Sequence, residues 1–131
     1  METEPQHPAT PKWMLWTGYA ISALIVLVLL FSAVLKLLKP EDLVKEFTRL
    51  ELRDDLAVGL GILEATCALV YAIPQTAVLG AILITGYLGG ATVTHVRIDD
   101  PFIPPVVMGI LAWLGLYLRD SRLRTLIPLR R

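Results

Sequence analysis

Four long runs of apolar residues, almost free of charge, govern what this chain can become. They cover residues 13–38, 56–73, 77–96 and 102–118, and the charged residues crowd into the segments between them. The first run, about 26 residues, makes ~39 Å of helix at ~1.5 Å per residue, more than the ~30 Å hydrocarbon core of a bilayer. The second and third, at about 18 and 20 residues, fall within the ~17–25 that span one. The fourth is the shortest, at about 17 residues, and Pro104-Pro105 stand in its first turn, where proline is tolerated. A chain of 131 residues that is 55% hydrophobic could not hide so much apolar surface in a water-soluble fold, because small domains leave a large share of their surface exposed. The expected fold is all-α, an integral membrane four-helix bundle, with Trp13 and Trp16 suited to an interfacial belt at its start.

The remaining segments divide the chain. Residues 1–12 read as a disordered polar tail, holding Pro5, Pro8 and Pro11 and too little apolar surface to order itself. Glu2 and Glu4 stand where a secretory signal would carry positive charge, so the first run is expected to be retained. Residues 13–118 form the transmembrane domain and 119–131 a basic amphipathic tail, suited to an anionic membrane surface. The link Pro74-Gln75-Thr76 is so short that the second and third helices must lie antiparallel. The link over 40–53 reads as an interfacial helix opened by Pro40-Glu41-Asp42, with carboxylates where the helix dipole favours them. Its stripe of Leu43, Phe47 and Leu50 suits a helix resting on lipid; the alternative is a lid over an opening in the bundle. With four spans both termini share a face, and Lys and Arg are equally divided between the two faces. The positive-inside rule therefore ties, and termini in the cytoplasm are expected from the arginines after residue 118.

Several function classes fall away. A net charge of zero implies no nucleic-acid partner. The single cysteine, Cys67, forms no internal disulfide and reads as a small buried apolar residue. With no dinucleotide fingerprint and no cysteine cluster, nothing in the sequence holds a flavin, haem or iron–sulfur cluster. No catalytic residue and no metal site is assigned, because His95 has only His7, in the tail, as a second histidine.

The polar residues inside the runs are the candidates for function. Glu64 sits near mid-bilayer, where a charge costs ~2.5–3.5 kcal/mol on insertion scales, so it should face the interior and find a partner. It reads either as a structural hydrogen bond between helices or as a ligand or proton site. Lys36, one turn after Ser32, either snorkels to the interface or reaches Glu64 on the adjoining helix. His95, with Arg97 beyond it, ends the third run near the same face as Lys36 and suits proton titration or binding of a quinone carbonyl. Lys36, Glu64, His95 and Arg97 are thus expected to form one polar cluster. Gly61, Gly86, Gly90 and Ala91 are expected to be helix-packing positions, Gly86 and Gly90 forming a GxxxG pair.

Three stretches taken in order resemble the DoxX-like family: Phe31-Ser32-Ala33-Val34-Leu35-Lys36-Leu37, then Gly61-Ile62-Leu63-Glu64, then Gly90-Ala91-Thr92-Val93-Thr94-His95-Val96-Arg97. The resemblance implies four membrane helices over residues 13–119. It also implies a non-catalytic accessory subunit of a quinone-linked membrane redox system, since the family takes its name from a small subunit associated with thiosulfate:quinone oxidoreductase. On that reading the cluster holds a small lipophilic ligand such as a quinone, and the expected partners are the lipid bilayer, a redox-enzyme subunit or a second copy. The expected location is the bacterial inner membrane. Related branches linked to receptor assembly make a membrane scaffold or assembly factor the alternative. An oligomeric transporter or channel is third, because four short helices leave one copy little room for a pathway.

Overall fold

A computed structural model describes residues 10–126. The polar tail expected at 1–12 and the end of the basic tail, with Arg130 and Arg131, lie largely outside them. Among the described residues the chain is all-helical. The helices are α1 (Lys12–Leu38), α2 (Glu41–Arg49), α3 (Ala57–Ala72), α4 (Ala77–Arg97), α5 (Ile103–Arg119) and α6 (Ser121–Leu126), with 3₁₀ turns at Asp54–Leu56 and Pro74–Thr76. Three segments are long and apolar enough to cross a membrane: Lys12–Leu38, Asp54–Ala72 and Pro74–Arg97. Helix α5 is equally apolar but shorter, at 17 residues.

Local chemistry sets the boundaries. Helix α1 stops where Lys39 turns left-handed (φ 51°) and returns its N–H to Leu35 O at 2.9 Å, an αL cap that ends the helix. Pro40 follows, cannot continue α1, and opens α2 with Glu41 and Asp42 in the first turn. The helix expected over 40–53 is shorter than the sequence suggests. It ends at Arg49 because Leu50 leaves helical geometry and Glu51 goes left-handed (φ 58°), with Leu52 N–H closing back on Phe47 O at 2.8 Å. Prolines at 104 and 105 occupy the first turn of α5, where their missing N–H groups leave no bond unmade. Asp120 starts α6 by accepting the backbone N–H of Arg122 at 2.9 Å.

The four long helices pack in a ring, α1 against α3 and α5, and α4 against the same two. Close approach depends on glycine at three points. A Cβ on Gly18 would lie 2.8 Å from Gly115 O, and one on Gly61 would lie 3.0 Å from Ala33 O. On Gly80 it would collide with the backbone of Tyr71. These contacts run α1 antiparallel to α3 and α5, and α3 antiparallel to α4. The start of α1 and the end of α5 therefore share one end of the molecule, and α2 lies at the other. Tyr71, Ile25, Leu29, Ile84 and Leu116 fill the centre. Large apolar side chains such as Trp16, Leu27, Phe31, Ile82 and Ile110 face outward, the inverse of a water-soluble surface and the arrangement lipid would match.

Candidate functional site

Among the described residues Glu64 is the one carboxylate in the core, 2% exposed. Its position follows from Gly61, one turn earlier, where the missing side chain lets α3 close on α1 against Ala33 and Lys36. That approach brings Lys36 Nζ to 2.6 Å from Glu64 Oε2. Two hydroxyls join on the same oxygen, Tyr87 donating at 2.9 Å and Ser32 at 3.2 Å. Ser32 Oγ also accepts from Lys36 Nζ at 2.7 Å, so Lys36, Ser32 and Glu64 form a closed triangle across α1 and α3. The ammonium stands 5.9 Å from the centroid of the Tyr87 ring, within cation–π range. A buried ion pair survives when its remaining hydrogen-bonding capacity is met, and here three donors converge on one oxygen.

The other residues expected in this cluster lie apart from it. His95 sends Nδ1 to Ala91 O at 2.7 Å, one turn back on α4, and turns Nε2 toward Asp100 Oδ2 at 3.5 Å. Arg97 donates to Leu50 O at 2.7 Å, tying the end of α4 to the turn after α2. Both sit at the last turn of α4, beyond reach of a carboxylate deeper in α3. Lys36, Ser32, Tyr87 and His95 nevertheless border one cavity of about 570 Å³. Leu43, Phe47 and Leu50 roof it, and Phe47 and Leu50 are buried. The apolar stripe of α2 thus turns inward over an opening.

Gly86 and Gly90 line the same cavity, and a Cβ at either would meet nothing within 4 Å. The helix contact expected of this GxxxG pair is therefore absent: the two glycines leave space on the cavity wall instead of admitting a neighbouring backbone. Ala91 borders the cavity too, whereas Gly61 is pressed against α1.

A charged latch holds α2 in place. Arg49 reaches Asp100 Oδ1 at 2.5 Å and bonds both carboxylate oxygens of Glu46. Hydrogen bonding from Arg49 holds the Asp100 carboxyl below the usual carboxylate range. Bonds to Glu46 first, then Asp100, raise the Arg49 guanidinium above its ordinary value. Glu46, His95 and Asp100 place potential metal-ligand atoms within 4.8 Å of one another. Both carboxylates already answer to Arg49, whose positive charge would repel a cation seated among them.

Sequence reasoning missed Tyr87, Arg49 and Asp100. Tyr87 carried a signal, a hydroxyl within an apolar run; the latch joins residues 51 positions apart and carried none.

Apolar helices with an outward-facing hydrophobic surface, closing over a buried ion pair and a part-polar cavity, define a small all-helical membrane protein with an internal pocket. The chain belongs to the DoxX-like family, whose sequence model matches residues 20–115. That stretch contains Lys36, Glu64, Tyr87 and His95 together with all of α2. No curated protein and no solved structure matches the chain.

Proposed function

We propose that this protein is a four-span accessory subunit of a quinone-linked membrane redox system, without catalytic activity of its own, whose cavity holds a small lipophilic ligand. The cavity carries this reading. Its walls are mostly leucine, phenylalanine and glycine, and polar side chains are confined to Ser32, Lys36, Glu46, Tyr87, Thr94 and His95. Ligand pockets commonly combine apolar walls with a few placed polar groups. Lys36 has three N–H donors and spends two, on Ser32 and Glu64, leaving one for an acceptor oxygen such as a quinone carbonyl. In this arrangement α5 crosses as a fourth, short span. The proposed location is the bacterial inner membrane, with both termini cytoplasmic and a redox-enzyme subunit or a second copy as partner.

Binding of a short-chain ubiquinone to purified protein in detergent tests the pocket. Wild type should bind it, Gly90→Leu should fill the open wall and abolish binding, and Lys36→Met should weaken it. Equal binding by all three would overturn the proposal. A membrane scaffold is the second reading, favoured by a polar cluster that already satisfies itself within the protein. Under that reading ubiquinone is not bound, and Gly90→Leu leaves partner assembly intact.

A further inference from the structure

At the end of the molecule away from the cavity, Arg119 finishes α5 and turns its side chain in between α1 and α3. Its Nε donates to Ser22 Oγ at 3.1 Å. Its guanidinium carbon lies 5.4 Å from the centroid of the Tyr19 ring and 5.6 Å from that of Tyr71. Ser22 and Tyr71 are buried and bonded to each other at 3.1 Å, so the guanidinium rests on groups that cannot swing away. None of these partners carries a negative charge. Among the described residues no carboxylate lies within ion-pair distance of Arg119, and its two Nη groups make no hydrogen bond there. The nearest acid in sequence, Asp120, is turned to the backbone N–H groups of Arg122 and Leu123. Among the described residues Arg124 likewise bonds only neutral oxygens, those of Tyr117, Leu118 and Thr10.

A positioned guanidinium with an open N–H fork and, among the described residues, no counter-ion is the chemistry that recognises phosphate, because its planar donors pair with two oxygens at once. We propose that Arg119 binds the phosphate group of an anionic phospholipid. A lipid fits better than a free anion because Trp16 and Tyr19, both outward-facing on α1 at this end, offer aromatic surface suited to the glycerol and upper acyl region. This site is separate from the cavity, and its test does not depend on what the cavity holds.

Native mass spectrometry of the full chain, with phosphatidylglycerol or phosphatidylcholine added to the detergent, reads the site directly. Wild type should retain phosphatidylglycerol about tenfold more strongly than phosphatidylcholine, a difference of ~1.4 kcal/mol. Arg119→Lys keeps the charge, loses the planar fork, and should lose most of that preference. Tyr19→Leu removes one stacking face at a half-exposed position and should weaken the preference even where Arg119→Lys does not fold. Arg122→Gln, at an exposed arginine outside this network, should leave it unchanged. Equal retention of the two lipids by wild type, or an unchanged preference in both Arg119→Lys and Tyr19→Leu, would overturn the proposal. So would inorganic phosphate raising the melting temperature as much as phosphatidylglycerol does, since the site would then hold free phosphate.

Discussion

The two ends of this molecule use similar residues and reach opposite results. At the cavity end four cations meet carboxylates, Lys36 with Glu64, Lys45 with Glu41, Arg49 with Glu46 and Asp100, and Arg53 with Asp55, while Arg97 bonds the Leu50 carbonyl. At the other end Arg119 and Arg124 meet hydroxyls, carbonyls and aromatic faces. Glycine divides the same way. Gly18 and Gly115 press two helices together beneath Arg119, while Gly86 and Gly90 face open space beneath α2. One end is therefore packed shut around Tyr71 and the other is hollow. A glycine in an apolar helix permits close approach, and whether a neighbour takes up the offer depends on how the helices are arranged around it.

The largest effect should come from breaking the buried ion pair. Glu64→Leu strands the Lys36 ammonium and should cost ~3–5 kcal/mol, read as a fall in melting temperature in detergent. Glu64→Gln keeps an acceptor oxygen for Lys36, Tyr87 and Ser32 and should cost clearly less. Lys36→Met combined with Glu64→Leu should recover most of the loss; a double variant as unstable as the sum of its parts would show that the pair is not a unit.

Next comes the contrast between the glycines. A Cβ on Gly115 would stand 2.6 Å from Ser22 Oγ, so Gly115→Ala should cost ~1–3 kcal/mol through overpacking. Gly90→Leu should leave the melting temperature nearly unchanged. Equal losses in the two variants would erase the distinction between packed and hollow ends.

A smaller difference separates the two tyrosines. The Tyr71 hydroxyl donates to Ala112 O at 2.7 Å and meets Ser22 within the core, so Tyr71→Phe leaves buried groups unpartnered, at ~1–3 kcal/mol. Tyr87→Phe should cost less, because Glu64 keeps Lys36 and Ser32. The reverse order in urea or thermal unfolding would place the tighter network at the cavity end.

The smallest effect concerns the latch on α2. The Asp100 carboxyl is held below its unfolded-state value by Arg49, so its contribution is present above the ordinary carboxylate range and lost as pH falls through the depressed value. Hydrogen exchange in Glu41–Arg49 should therefore quicken in acid relative to the rest of the chain. Asp100→Asn should exchange faster at neutral pH and lose most of that pH dependence.

The apolar runs by themselves determined the helical fold, the antiparallel joint at Pro74–Thr76 and the start of α2, because length, periodicity and proline act locally. They also marked Glu64 and Lys36, since a charge inside an apolar helix must face inward and find a partner. Only the tertiary structure decided which partner each polar group took. His95 and Lys36 lie near the same end of the bundle, yet His95 turned back to its own helix and to Asp100, while Tyr87 took the place expected of it beside Glu64. Depth along a helix can be counted from residue numbers, but the rotation of one helix against another is set by packing contacts distributed over all four. The same reason decided the glycines. Sequence spacing gave Gly86 and Gly90 a common face, and the placement of α1, α2 and α3 left that face looking into a cavity.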